Sequence, residues 1–107
     1  QTLFDQIGDF IFVLDMQGNI VHVNATVCQR LGYAADELLG QSVVMVHPAD
    51  QREEALRVIQ AMLTGAVQVC PIPLQTKTGS IIPTETRVSR GQWDKHEALF
   101  GVSRALE

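Results

Sequence analysis

Phe10-Ile11-Phe12-Val13-Leu14 is a run of five apolar residues, most of them of strand-favouring types. Successive side chains of a strand point to opposite faces, so a run without a polar residue leaves no face for water. The run predicts a strand buried on both sides, which needs a real hydrophobic core around it. The 107 residues provide for one such domain and not for two. A hydrophobic fraction of 46% against 19% charged is an ordinary globular balance.

The segments around this run read in order. Leu3, Phe4 and Ile7 share one helical face and Gly8 stops them, so residues 1–8 form a flanking N-terminal helix. Asp15 to Asn19, with Gly18, is turn chemistry, and Ile20–Val23 is a second strand, which makes an antiparallel hairpin. Asn24 is placed to cap a helix whose apolar face is Val27, Cys28 and Leu31 and whose end is Gly32. Asp36 to Leu39 is a short helical turn closed by Gly40, and Val43 to Val46 is another short apolar piece. His47-Pro48-Ala49-Asp50 opens the main helix, with Asp50 and Glu53 at capping-box spacing. Ala55, Leu56, Ile59, Met62 and Leu63 then repeat at helical spacing until Gly65.

The remainder is strand: Val67 to Thr76, a turn at Thr78-Gly79, Ile81 to Arg90, a loop over Gly91 to Lys95, and Ala98 to Ala105. Pro71 and Pro73 lie two apart, so their missing N–H groups fall on one side of their strand, which must be a sheet edge. Two strands, a helical middle and three strands predict an α+β fold: an antiparallel sheet covered on one face by helices.

Several function classes drop out. The net charge is −4 with no basic cluster, which argues against nucleic-acid binding. No apolar run approaches the roughly 18 residues of a membrane span. Cys28 and Cys70 are isolated, cannot make a disulfide framework, and suit a reducing, cytoplasmic setting. His22, His47 and His96 fit no zinc spacing, so no metal is expected. Glu53 and Glu54 are neighbours and diverge by about 100° on a helix, which makes a solvated face rather than an acid–base pair. No nucleophile signature or phosphate loop is present, so no catalysis is expected. The chain begins at Gln1 and stops at Glu107 in mid-pattern, as an excised fragment would.

Asp15-x-x-Gly18-x-Ile20-x-x-x-Asn24 resembles the opening of a PAS domain. Leu31-Gly32-Tyr33-x-x-x-Glu37-Leu38-x-Gly40 resembles its central segment, and His47-Pro48-x-Asp50 the start of its long helix. Lys77-Thr78-Gly79 to Glu85 is similar to the following hairpin, and Gly101-Val102-Ser103-Arg104 to the last strand. These pieces cover nearly the whole chain in the family's order. The resemblance implies a five-stranded antiparallel sheet of order 2-1-5-4-3, with the third strand at an edge. It also implies helices enclosing a pocket on one face, and a place upstream of a histidine kinase, diguanylate cyclase or phosphodiesterase domain.

The resemblance also weighs cofactors. Haem-binding relatives present a histidine from the long helix, and Gln51 to Thr64 contains none. Flavin photoreceptor relatives use a cysteine in a Gly-x-Asn-Cys-Arg segment, where this chain has Gly40-Gln41-Ser42-Val43-Val44. Trp93, in the expected loop, is not where flavin-binding relatives stack a tryptophan. Haem and flavin are disfavoured and the cofactor is left unknown. The candidate pocket is Val27, Leu31, Leu39, Val43, Val46, Ile59, Met62 and Phe100, with Thr84 and Thr86 from the fourth strand, whose hydroxyls need partners if buried. Either these residues fill a solid core or they hold a small apolar or amphipathic molecule. Asp15 and Asn24 would tie the hairpin to the following helix. Leu3, Phe4 and Ile7 are the candidate interface of a homodimer. The last strand of relatives ends in an Asp-Ile-Thr-like motif that couples to the effector, and Ala105, Leu106 and Glu107 stand there instead.

Overall fold

The structure, a computed structural model, describes residues 8–106. The expected N-terminal helix with Leu3, Phe4 and Ile7 lies outside the described residues, as does Glu107. Strands β1 (Phe10–Leu14), β2 (Ile20–Val23), β3 (Val69–Cys70), β6 (Thr84–Trp93) and β7 (His96–Ala105) form one antiparallel sheet. Its order is β2-β1-β7-β6-β3. This is the expected topology, with β6 and β7 as the fourth and fifth strands of the sheet. The apolar run is β1, central between β2 and β7, and all five of its residues are buried. A separate two-stranded ladder joins β4 (Leu74–Gln75) to β5 (Ile81–Ile82).

Helices α1 (Ala25–Leu31), α2 (Ala35–Leu38) and α3 (Arg52–Leu63), with 3-10 turns at Val43–Val46 and Ala49–Gln51, make up the helical middle. Each stop is local chemistry: Gly32, Gly40 and Gly65 all adopt left-handed φ near +85°. Ala55, Ile59 and Met62 bury one stripe of α3 in the core, while Leu56 on the same repeat is exposed.

Asn24 does what its position promised. Its Oδ1 accepts from Val27 N at 3.2 Å, capping α1, and from Ile11 N at 3.1 Å. Its Nδ2 donates to the Asp9 carbonyl at 3.0 Å. One side chain therefore joins the start of β1 to α1. Asp15 acts within the hairpin instead of reaching the helix: its Oδ1 accepts from Gln17 N and Asn19 N, each at 2.9 Å.

Four local expectations are corrected. The strand expected over Val67–Thr76 splits into β3 and β4, and Pro83 likewise separates β5 from β6, because prolines cannot donate to a continuous ladder. The strand expected to carry Pro71 and Pro73 does lie at an edge, since among the described residues β3 pairs only with β6, but both prolines fall between β3 and β4. The capping box at Asp50 does not form. Asp50 lies inside the 3-10 turn, α3 has no side-chain N-cap, and the Arg52 guanidinium instead bonds the His47 and Met45 carbonyls at 3.2 Å each. The loop over Gly91–Lys95 is also shorter than expected. Asp94 and Lys95 alone turn the chain, with φ of 52° and 70°, so Trp93 sits in β6 opposite His96.

A candidate ligand cavity between α3 and the sheet

Pairing decides which side chains meet over the sheet. Phe12 lies opposite Gly101, Val88 opposite Gly101, and Thr86 opposite Ser103. These residues share the face on which α3 packs. Phe12 and Leu14 of β1, Thr86 and Val88 of β6, and Gly101 and Ser103 of β7 form the floor of a cavity of about 40 Å³. Val43, Val46 and His47, Ile59 and Met62 of α3, Cys70 and Leu74 form its walls. Gly101 is why there is room. A Cβ there would sit 3.6 Å from Thr86 Cγ2 and 3.9 Å from the Phe12 carbonyl, so it would occupy space now open.

The lining carries no ionised group. His47 is buried, and its Nδ1 faces the Pro73 carbonyl at 2.8 Å, so that nitrogen carries the proton and donates. Burial pushes the His47 pKa down, the Pro73 hydrogen bond opposes it, and the Arg52 charge adds to the lowering. Burial pushes the Cys70 thiol up, which keeps it protonated. The Thr86 and Ser103 hydroxyls lie 2.6 Å apart and share one hydrogen bond, in which one O–H donates to the other oxygen. The cavity surface is therefore almost entirely carbon and sulfur.

His47 gives a pH test. Its folded pKa lies below the ordinary histidine value, so the unfolded chain protonates first as pH falls. Stability is complete above about pH 6.5 and declines below it, by at most about 1.4 kcal/mol per pH unit, until the folded state also takes the proton. Urea denaturation between pH 7.5 and 5 should show this decline. His47→Asn, which can still donate to Pro73, should flatten the part due to His47.

Of the candidates named from sequence, Val43, Val46, Ile59, Met62 and Thr86 line the cavity. Val27 and Leu31 are fully buried in the core but do not line it. Leu39 is 44% exposed, because α2 ends at Leu38 and turns it outward. Phe100 lies on the opposite face, since its neighbours Leu99 and Gly101 point inward. There the Phe100 ring meets Trp93 edge-on at 6.4 Å, and His22 stacks on Trp93 at 4.7 Å. Strand alternation through Ser103 could have found Gly101; His47, Cys70 and Leu74 are brought in by long-range packing that leaves no local signal.

Thr84 is buried and outside the cavity, and its Oγ1 has no protein partner among the described residues. An unpaired buried hydroxyl costs about 1–3 kcal/mol. Thr84→Val, of nearly equal shape, should raise unfolding stability by about 1 kcal/mol. A loss of stability on calorimetry would show that the hydroxyl is partnered.

A five-stranded antiparallel sheet of order β2-β1-β7-β6-β3, carrying α3 over a small cavity on one face, is the architecture that the sequence resemblance implied. The family model described as the PAS fold matches residues 1–105, and the chain belongs to the PAS family. It is similar, at 25% identity over 107 residues, to the methyl sulfide methyltransferase-associated sensor of Methanosarcina acetivorans; the match covers 99% of this chain and 11% of that protein. Among solved structures it resembles a PAS domain from Desulfitobacterium hafniense, with a TM-score of 0.85, 24% identity, and coverage of 99% and 100% of the two chains. It also resembles the PAS domain of an HTR-like protein from Haloarcula marismortui, with a TM-score of 0.79, 27% identity, and coverage of 97% and 86%. A PAS domain from a two-component sensor histidine kinase, at 15% identity, shares the fold with a TM-score of 0.75 over 97% of this chain and 90% of that one.

Proposed function

We propose that this chain is a single non-catalytic sensory domain that holds a small molecule in the cavity beneath α3. Occupancy passes to an effector of the same polypeptide, of the histidine kinase, diguanylate cyclase or phosphodiesterase type. The observation that carries this is the position of the cavity on β7. Gly101 and Ser103 of the lining lie two to four residues before Ala105, where β7 ends. A ligand that binds one arrangement of β7 better than another shifts their populations by that difference in affinity. The sensor relative supports the reading, and the unpaired Cys28 and Cys70 fit a reducing cytoplasm. Mass spectrometry of solvent extracts from protein purified out of its own cells tests it. A reproducible small molecule, lost when Gly101→Leu fills the cavity, is the expected result. Empty extracts together with no thermal shift across a metabolite library would defeat the reading.

The outer sheet face favours a second role. Val21 and Trp93 are exposed there, and Trp93 packs against His22 and Phe100. A homodimer using this face, with Leu3, Phe4 and Ile7, would set effector geometry without a ligand. Sedimentation at tens of micromolar should then show a dimer that charged substitutions at Leu3 and Phe4 split.

A further inference from the structure

The cavity has a neighbour. A surface groove of about 350 Å³ runs under the C-terminal end of α3, between Gly65–Gln68 and Val88–Arg90 of β6. Of the described residues, Met62 and Val88 alone line both spaces, so these two side chains stand where the spaces adjoin. On the groove side, Arg90 Nη2 donates to the Leu63 carbonyl at 2.6 Å and ties the helix end to β6. On the inner side, 40 Å³ is room for roughly three water-sized groups, at about 10–15 Å³ each.

Chemistry and size then restrict the occupant. An ion would enter a site with no counter-charge and lose its hydration uncompensated. A strongly polar molecule would find few partners, because one hydrogen bond joins the Thr86 and Ser103 hydroxyls and leaves a single O–H over, and the His47 Nδ1 proton is donated to Pro73. Carbon and sulfur walls reward dispersion contacts instead. Val88 is held in a strand, whereas Met62 is an unbranched side chain with several rotatable bonds, able to move or to be cut back.

We propose that the cavity selects an uncharged, weakly polar molecule of about three to four non-hydrogen atoms, and that Met62 sets this size limit by walling the cavity from the groove. This rests on the sensory reading above and specifies what its pocket takes. Truncating Met62 joins the two spaces and admits larger molecules of the same character.

The test is amide-resolved NMR titration of the whole chain with four probes: xenon, dimethyl ether, dimethylammonium and benzene. Dimethyl ether and dimethylammonium have the same number of heavy atoms and differ in charge. Xenon and the ether should shift Gly101 and Ser103, while dimethylammonium should bind at least about tenfold more weakly. Benzene should be excluded from the wild type and gain about tenfold or more in affinity in Met62→Ala. Val88→Ala opens the same wall and serves if the first variant folds poorly. Dimethylammonium binding as tightly as the ether overturns the charge selection. Benzene binding the wild type as well as the ether, or being excluded equally from both variants, overturns the role of Met62. If neither xenon nor the ether moves any cavity amide, the ligand-pocket reading itself fails, and this inference with it.

Discussion

Phe10→Ala should destabilise the domain by about 3–5 kcal/mol, the usual cost of removing a fully buried phenylalanine. Phe10 has no exposed surface and sits at the head of β1, opposite Ser103 of β7. The Arg30 guanidinium lies 5.0 Å from its ring centroid, a contact worth about 0.5–1 kcal/mol that the substitution also removes. Domains of this size are stable by only roughly 5–15 kcal/mol, so the variant should be near the margin at 37 °C. Urea denaturation reads the loss as a lower midpoint at unchanged slope. A loss below about 1 kcal/mol would mean that the site collapses around the missing ring, contrary to a well-packed β1.

Asn24→Ala should cost about 2–4 kcal/mol although the side chain is only partly buried. Removing the α1 cap costs about 1 kcal/mol. The rest comes from Ile11 N and the Asp9 carbonyl, which lose their partner at the entrance to the central strand, at about 1–3 kcal/mol for a desolvated group. Asn24→Ser separates the parts. Serine can still cap Val27 but is too short to serve Ile11 and Asp9 together, so it should recover only the capping share. Full recovery by serine would reduce Asn24 to a helix cap and remove its role in joining β1 to α1.

Much of this architecture was legible because its causes are local. The unbroken run Phe10–Leu14 demands burial on both sides, and β1 is buried throughout. Gly32, Gly40 and Gly65 end their helical segments through left-handed backbone that other residues resist. Pro71 and Pro73, with no N–H to donate, stop the ladder after Cys70 and leave the segment before β4 outside the sheet. The Asp94-Lys95 turn was not legible, because a two-residue hairpin with positive φ at both positions normally signals itself with asparagine or glycine. Nor was the missing cap at Asp50, since a 3-10 turn ahead of α3 displaced the helix start past it.

The cavity divides the two kinds of information most clearly. Spacing along α3 was enough to point Ile59 and Met62 inward, because helix periodicity is set by the backbone alone. In β7 both alternating sets contain apolar residues, so composition could not say whether Phe100 or Gly101 faced the helices. Pairing with β1 decided it: Phe12 stands over Gly101, and the ring of Phe100 goes to the far side. His47, Cys70 and Leu74 come from segments distant in sequence and meet only in the folded chain, where all three line the cavity. The sequence by itself determined the elements, their order and their ends, which depend on interactions across a few residues. The tertiary structure alone decided which faces meet, and so where a side chain is missing and a small molecule has room.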